Sequence, residues 1–211
     1  MISVSHRRDV DYVVSVEIQV AYSETQMAQK LKPITDAEVV LAQKEEFSRL
    51  VWAVPLFIMI HNSEEALTMP RWLHEHMPAV AQQYGLPLTH IPSPGELYLA
   101  LAMGTAVPFL ITFFAAMAGP RSFGLYLLAG IQSVMLTNAI VPHLIATILL
   151  RAYTPGVITA VFVVIPFSIF WFRRILKCDF VAVRPLIFSI VLGAMAYGPI
   201  MMAIYVMSGW V

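Results

Sequence analysis

LVWAVPLFIMIHNSEEALTM, Leu50 to Met69, opens as a near-continuous apolar run and then places His61, Glu64 and Glu65 within five residues. A hydrocarbon core about 30 Å thick needs roughly 20 helical residues to cross it, and this stretch has that length. On a helix Glu64 falls about 60° to one side of His61 and Glu65 about 40° to the other, so the three share a face. A carboxylate at mid-span costs on the order of 2.5–3.5 kcal/mol. The segment therefore reads as a span only if that face looks onto protein, water or a cation.

Further apolar stretches follow at 97–118, 123–150, 156–172 and 186–207. With 50–69 they predict an all-α polytopic membrane protein, a bundle of five transmembrane helices over residues 50–211. Continuous rather than alternating hydrophobicity argues against a strand barrel. Of 211 residues, 59% are hydrophobic and 12% charged, where a soluble domain carries about 25% charge; mean hydropathy is +0.74. Between Leu97 and Val211 the sole acidic residue is Asp179. Such a chain cannot coat a soluble globule, so the lipid bilayer is its expected partner. The formal net charge of zero gives no basic field for nucleic acid. A single cysteine, Cys178, excludes an intrachain disulfide and a multi-thiolate metal site. Arg174 and Lys177 beside it would lower its pKa, although an incidental loop thiol is the plainer reading.

Each stretch holds an interior proline: Pro55, Pro108, Pro142, Pro166 and Pro199. Proline frees the carbonyl four residues earlier and bends the axis, which suits either a bundle bowed open around a cavity or routine membrane proline. Ser189/Gly193 and Ala194/Gly198 have the small-xxx-small spacing of close helix packing.

Basic residues near helix ends set the orientation. Lys44, Arg49, Arg121, Arg173, Arg174, Lys177 and Arg184 fall on one side, Arg71 and Arg151 on the other. This puts the N-terminus in the cytoplasm and the C-terminus outside, in the plasma (inner) membrane, with Trp72, Tyr153 and Trp210 at the outer interface. Residues 1–49 form an N-terminal cytoplasmic segment, partly flexible. Val14–Tyr22 alternates like a strand, and Thr35 with Glu38 has capping-box spacing for an amphipathic helix through Ala37–Arg49. No apolar core with a small-residue cleavage site precedes it, so no signal peptide is expected, and Met27 is an alternative start. Leu73, Met77, Val80 and Tyr84 recur at helical spacing, which predicts a short helix lying flat on the outer surface, interrupted at Pro78. His74 and His76, two apart, point away from each other and make a poor metal pair.

Asn138 and His143 are the clearest polar partners for the first helix. Counted from Pro70, His61 lies about 13 Å deep; counted from Arg151, His143 lies about 12 Å and Asn138 about 19 Å deep. The two histidines are thus expected at one level in the outer half of the bilayer. Asn138 and His143, five apart, stand about 140° apart on an ideal helix, and a break at Pro142 is needed to bring them together.

His61-Asn62-Ser63-Glu64-Glu65, followed by Asn138, His143 and Tyr153-Thr154-Pro155-Gly156, resembles the pattern of the HXXEE family of integral membrane proteins. The similarity covers roughly residues 50–205. It implies the fold and the set of polar residues, and no reaction. A further analogy is to intramembrane metalloproteases that carry a Glu-Glu motif; here Arg71 follows Glu65 by six residues, which departs from their Glu-Glu-x-x-x-Arg spacing.

Chemically, His61, His143 and Glu64 or Glu65 make a two-histidine, one-carboxylate set suited to zinc or non-haem iron. The remaining glutamate would be the general base of a hydrolase-like intramembrane enzyme, with Asn138 and Tyr153 binding substrate or orienting the ligands. His-x-x-Glu reverses the Glu-x-x-His of di-iron bundles, so oxidative chemistry stays open. The site's level in the outer leaflet suits a lipid or amphiphilic substrate. A proton-coupled transporter is the first alternative, opposed by the lack of an internal repeat and by an odd number of spans. A purely structural role is the second, opposed by the small gain of intramembrane polar contacts, about 0.6 kcal/mol each. Oligomeric state stays open.

Overall fold

The computed structural model describes Gln19 and residues 36–85 and 90–209. Apart from Gln19, the alternating segment Val14–Tyr22 lies outside them, as do Met27, Thr35 and Trp210. The described residues form five helices and no strand: α1 (Asp36–Tyr84), α2 (Pro94–Ala118), α3 (Phe123–Leu150), α4 (Val157–Lys177) and α5 (Val183–Ser208). The chain divides into a unit ending at Ala42 and a unit beginning at Gln43; the helix bundle is the second.

α2 to α5 are long and apolar enough to cross a membrane. α1 is long enough but falls short in hydropathy, because His61, Asn62, Glu64 and Glu65 interrupt its apolar run. Two expectations about α1 are corrected. It does not end near Pro70, and Trp72–Tyr84 is not a separate surface helix; one helix continues through Pro55, Pro70 and Pro78. Each proline removes one ladder bond, while the following turn is held by the Arg71–Glu75 pair at 2.7 Å and by His76 stacked on Trp72 at 5.4 Å. His76 therefore packs on an aromatic ring.

α2 and α5 begin three residues before the expected 97 and 186, and α3 and α4 begin within one residue of the expected 123 and 156. Ser93 and Glu96 form a reciprocal capping box at α2, and Ser122 accepts from the Leu125 amide at α3. Val51, Val54 and Ile58 of α1 share one buried hydrophobic cluster with Val164, Phe167 and Trp171 of α4 and Leu125 and Leu128 of α3. The Trp171 indole donates to the Leu50 carbonyl at 2.8 Å. α5 meets α3 at Gly193, where an added Cβ would lie 2.3 Å from the Gly130 carbonyl oxygen, and Ser133 donates to the Ile190 carbonyl at 2.7 Å. The first small-residue pair is thus a backbone contact, whereas nothing lies within 4 Å of a Cβ at Gly198.

Polarity is inverted relative to a soluble protein. Gln132 and Ser168 bond each other in the interior, while Leu110, Phe114, Phe162, Phe170, Phe188 and Met195 lie on the outside. One end of the bundle joins Arg121 to Asp179, Glu46 to Arg174, and Phe47 edge-on to Phe180. At the other end the Trp72 indole donates to the Tyr153 carbonyl at 2.9 Å. Cys178 sits at the first end, and burial, aided by Glu46 and opposed by Arg174, pushes its thiol up rather than down. The plainer reading of this cysteine fits: desolvation outweighs its basic neighbour.

Gly193→Ala should lower the unfolding midpoint by the equivalent of about 1–3 kcal/mol through overpacking. Gly198→Ala should stay within about 0.5 kcal/mol of the parent. Thermal unfolding in detergent measures both.

Candidate metal centre

His61, Glu65 and His143 each offer one ligand atom, and these atoms lie within 4.8 Å of one another. His143 Nε2 is 3.2 Å and His61 Nε2 4.0 Å from Glu65 Oε1. The imidazoles stand edge to face with centroids 4.8 Å apart. All three side chains are buried, with His61 at 0% and His143 at 3% exposure. Tetrahedral zinc with ligand bonds of about 2.0–2.1 Å sets its ligand atoms roughly 3.4 Å apart, so the cluster needs only small adjustments to enclose a cation.

The hydrogen bonds on the far side of each ring decide what the near side presents. His143 Nδ1 lies 2.6 Å from the Pro155 carbonyl, which can only accept, so Nδ1 carries the proton and Nε2 the lone pair. Thr159 donates its hydroxyl to Glu64 Oε2 at 2.6 Å and must therefore accept from His61 Nδ1 at 2.8 Å. His61 Nε2 is then a lone pair too. Both rings aim acceptors at Glu65, itself an acceptor. Acceptors gathered this closely suit a positive charge among them, a proton or a metal cation, in place of the two N–H donors that the Asn138 amide offers the rings. Asn138 Nδ2 lies 3.2 Å from His61 Nε2 and 3.0 Å from His143 Nε2, and Tyr197 donates to its Oδ1 at 3.1 Å.

A π-helical turn brings Asn138 and His143 together. Residues Ala139–Ile145 of α3 are π-helical around Pro142. The missing proline N–H forfeits the bond to Asn138, and the wider i→i+5 turn puts residues five apart on one side. The expected break at Pro142 is thus a local unwinding. A second π turn occupies Ala160–Val164, just before Pro166.

Of the expected ligands, Glu64 does not join the cluster. Its carboxylate accepts from the Thr159 amide at 2.7 Å, the Ile158 amide at 3.3 Å, the Thr159 hydroxyl and the Tyr153 hydroxyl at 2.9 Å. Those amides open α4, where orphan N–H groups favour an anion. Tyr153 accordingly serves Glu64 and does not touch the histidines. The rest of the Tyr-Thr-Pro-Gly turn is also engaged: Thr154 donates to the His143 carbonyl at 3.1 Å, Pro155 accepts from the ring, and Gly156 closes the turn at φ +84°. A Cβ on Gly156 would lie 2.7 Å from His143 Cε1 and 3.1 Å from His61 Cε1, so only glycine fits.

Sequence reasoning missed Thr159, Tyr197 and Asn62. Asn62 donates to Thr105 at 2.8 Å, tying α1 to α2. Threonine and tyrosine are routine in membrane helices, and no spacing within one helix marks their partners on another.

The family described as "Protein of unknown function with HXXEE motif" matches residues 52–171. The chain is similar to the "Uncharacterized protein YrkK" of Bacillus subtilis (strain 168), 29% identical over 120 residues, which is 56% of this chain and 70% of YrkK. No solved structure matches. The matched span contains His61, Glu64, Glu65, Asn138, His143 and Thr159, and excludes Tyr197.

Thr159→Val should weaken divalent-cation binding by about 10–100-fold, because it removes the acceptor that fixes the His61 tautomer. Thr159→Ser should bind like the parent; zinc titration of the purified protein reads the difference.

Proposed function

This chain belongs to the HXXEE family, and from that premise and the site geometry we propose a five-span plasma (inner) membrane protein whose His61, Glu65 and His143 hold zinc or iron. It acts, hydrolase-like, on a lipid or amphiphilic substrate. One observation carries the proposal: two imidazole lone pairs and a carboxylate converge in a buried pocket, each ring oriented from behind by an acceptor.

The donor set suits such an ion. Two neutral imidazoles and one carboxylate match zinc sites with an open position and non-haem iron sites. A cation would offset the cost of placing Glu65 in the membrane. The Asn138 amide, turned over, would present Oδ1 to the site, and the Tyr197 hydroxyl both donates and accepts, so it serves either orientation.

The catalytic role first divided between Glu64 and Glu65 goes to Glu65. Glu64 is committed to α4 and to His61 through Thr159, which makes it a positioning residue. Glu65, 7% exposed, also borders a cavity between the helices. A carboxylate has two oxygens, so with Oε1 toward the histidines the other is the one left to take a proton from a water or hydroxyl delivered there. The ion, when bound, supplies a Lewis acid.

Sidedness rests on the basic end of the bundle, which gathers Arg121, Arg174 and Lys177. The site lies toward the opposite, outer end. A proton-coupled carrier and a structural hub are the competing functions, and Glu64 bracing α1 against α4 favours the second.

Purified protein should carry close to one equivalent of zinc or iron by elemental analysis, lost in His61→Ala, Glu65→Ala and His143→Ala. Metal-free protein that drives proton-linked uptake into liposomes would favour the carrier. Variants that only lose stability would favour the hub. For orientation, a membrane-impermeant maleimide applied to intact cells should label Ala152→Cys and spare Arg184→Cys, both in a Cys178→Ser background.

A further inference from the structure

We propose that the cavity beside Glu65 binds a neutral, single-chain amphiphile, an apolar tail ending in a hydroxyl or ester that reaches Glu65 and Asn138. This rests on the function proposed above and names its substrate class. The cavity, about 240 Å³, lies between α1, α2, α3 and α5. Its walls are aliphatic and thioether groups such as Leu101, Met135 and Ile204. Its polar groups are Asn62, Glu65, Asn138 and Tyr205, and Glu65 and Asn138 are the ones that also face the histidines.

Three features choose the occupant. Among the described residues no lysine, arginine or histidine lines the cavity, so an anionic headgroup would find no protein counter-charge in its walls and would meet Glu65, whose carboxylate already offsets part of the charge of a bound ion. Drug-sized ligands occupy pockets of about 300–1,000 Å³, so this volume suits one short chain rather than a two-tailed lipid. Val107 and Met207 line the cavity and are also half or more exposed on the apolar flank, so the chain enters sideways from the bilayer.

The test uses the full chain in nanodiscs, with a diazirine-bearing fatty alcohol as probe and the matching fatty-alkyl phosphate as comparison. Gly104→Leu and Ala203→Trp add bulk at residues that line the cavity; a Cβ at Gly104 meets only Asn62 Nδ2, at an ordinary contact distance of 3.7 Å. Saturable labelling by the alcohol should map to Leu101, Met135 and Ile204. It should fall by about tenfold or more in both variants and with the phosphate probe, each tenfold equivalent to 1.4 kcal/mol. Labelling spread over the outer faces, or equal labelling by the phosphate, would overturn the proposal. Metal content is read on the same samples. Cavity labelling without metal would remove the metal centre and leave this binding site standing; metal without cavity labelling would do the reverse.

Discussion

The Glu64 carboxylate accepts from two backbone amides, a threonine hydroxyl and a tyrosine hydroxyl, and every one of those donors comes from the α3–α4 turn or the start of α4. A partly buried carboxylate between helices is held best when its oxygens are satisfied. Meeting that demand pins α1 to α4. It also consumes the Thr159 proton, which leaves the threonine oxygen to accept from His61. One carboxylate thus sets both the packing of two helices and the tautomer of a ring it does not touch. Glu65, the adjacent residue, is freed to face the cluster.

The second constraint is Pro142. In an unbroken α-helix Asn138 and His143 diverge, and the π turn at Ala139–Ile145 lets both reach one point. The Tyr-Thr-Pro-Gly turn locks the result, since the Pro155 carbonyl holds the His143 ring and Gly156 leaves room for both imidazoles. Proline and glycine here shape the site rather than merely punctuate helices.

Around this polar centre the bundle is apolar outward and close-packed where small residues permit. α3 and α5 touch backbone to backbone at Gly130 and Gly193. On the flank of α2 the helices stand apart, and the resulting cavity reaches Glu65. The polar centre is therefore closed by the α3–α4 turn and connected through the cavity to an apolar surface.

Composition and periodicity determined that the chain is helical, with helices apolar enough to cross a membrane, and that His61 and His143 belong at one level. Those conclusions follow from local rules: helical rise, hydropathy and the cost of charge in hydrocarbon. The sequence also marked Pro142 as the place where α3 departs from regularity. It did not separate Glu64 from Glu65, because adjacent carboxylates on one helix face have equal local claims on a partner. It also missed the continuation of α1 past Pro70, since proline weighs against a helix locally and neighbouring side chains can outweigh it. Only the tertiary structure decided those points, because the amides of α4, the Thr159 hydroxyl and the Pro155 carbonyl are far from the HXXEE segment in the chain, and only folding brings them to the groups they satisfy.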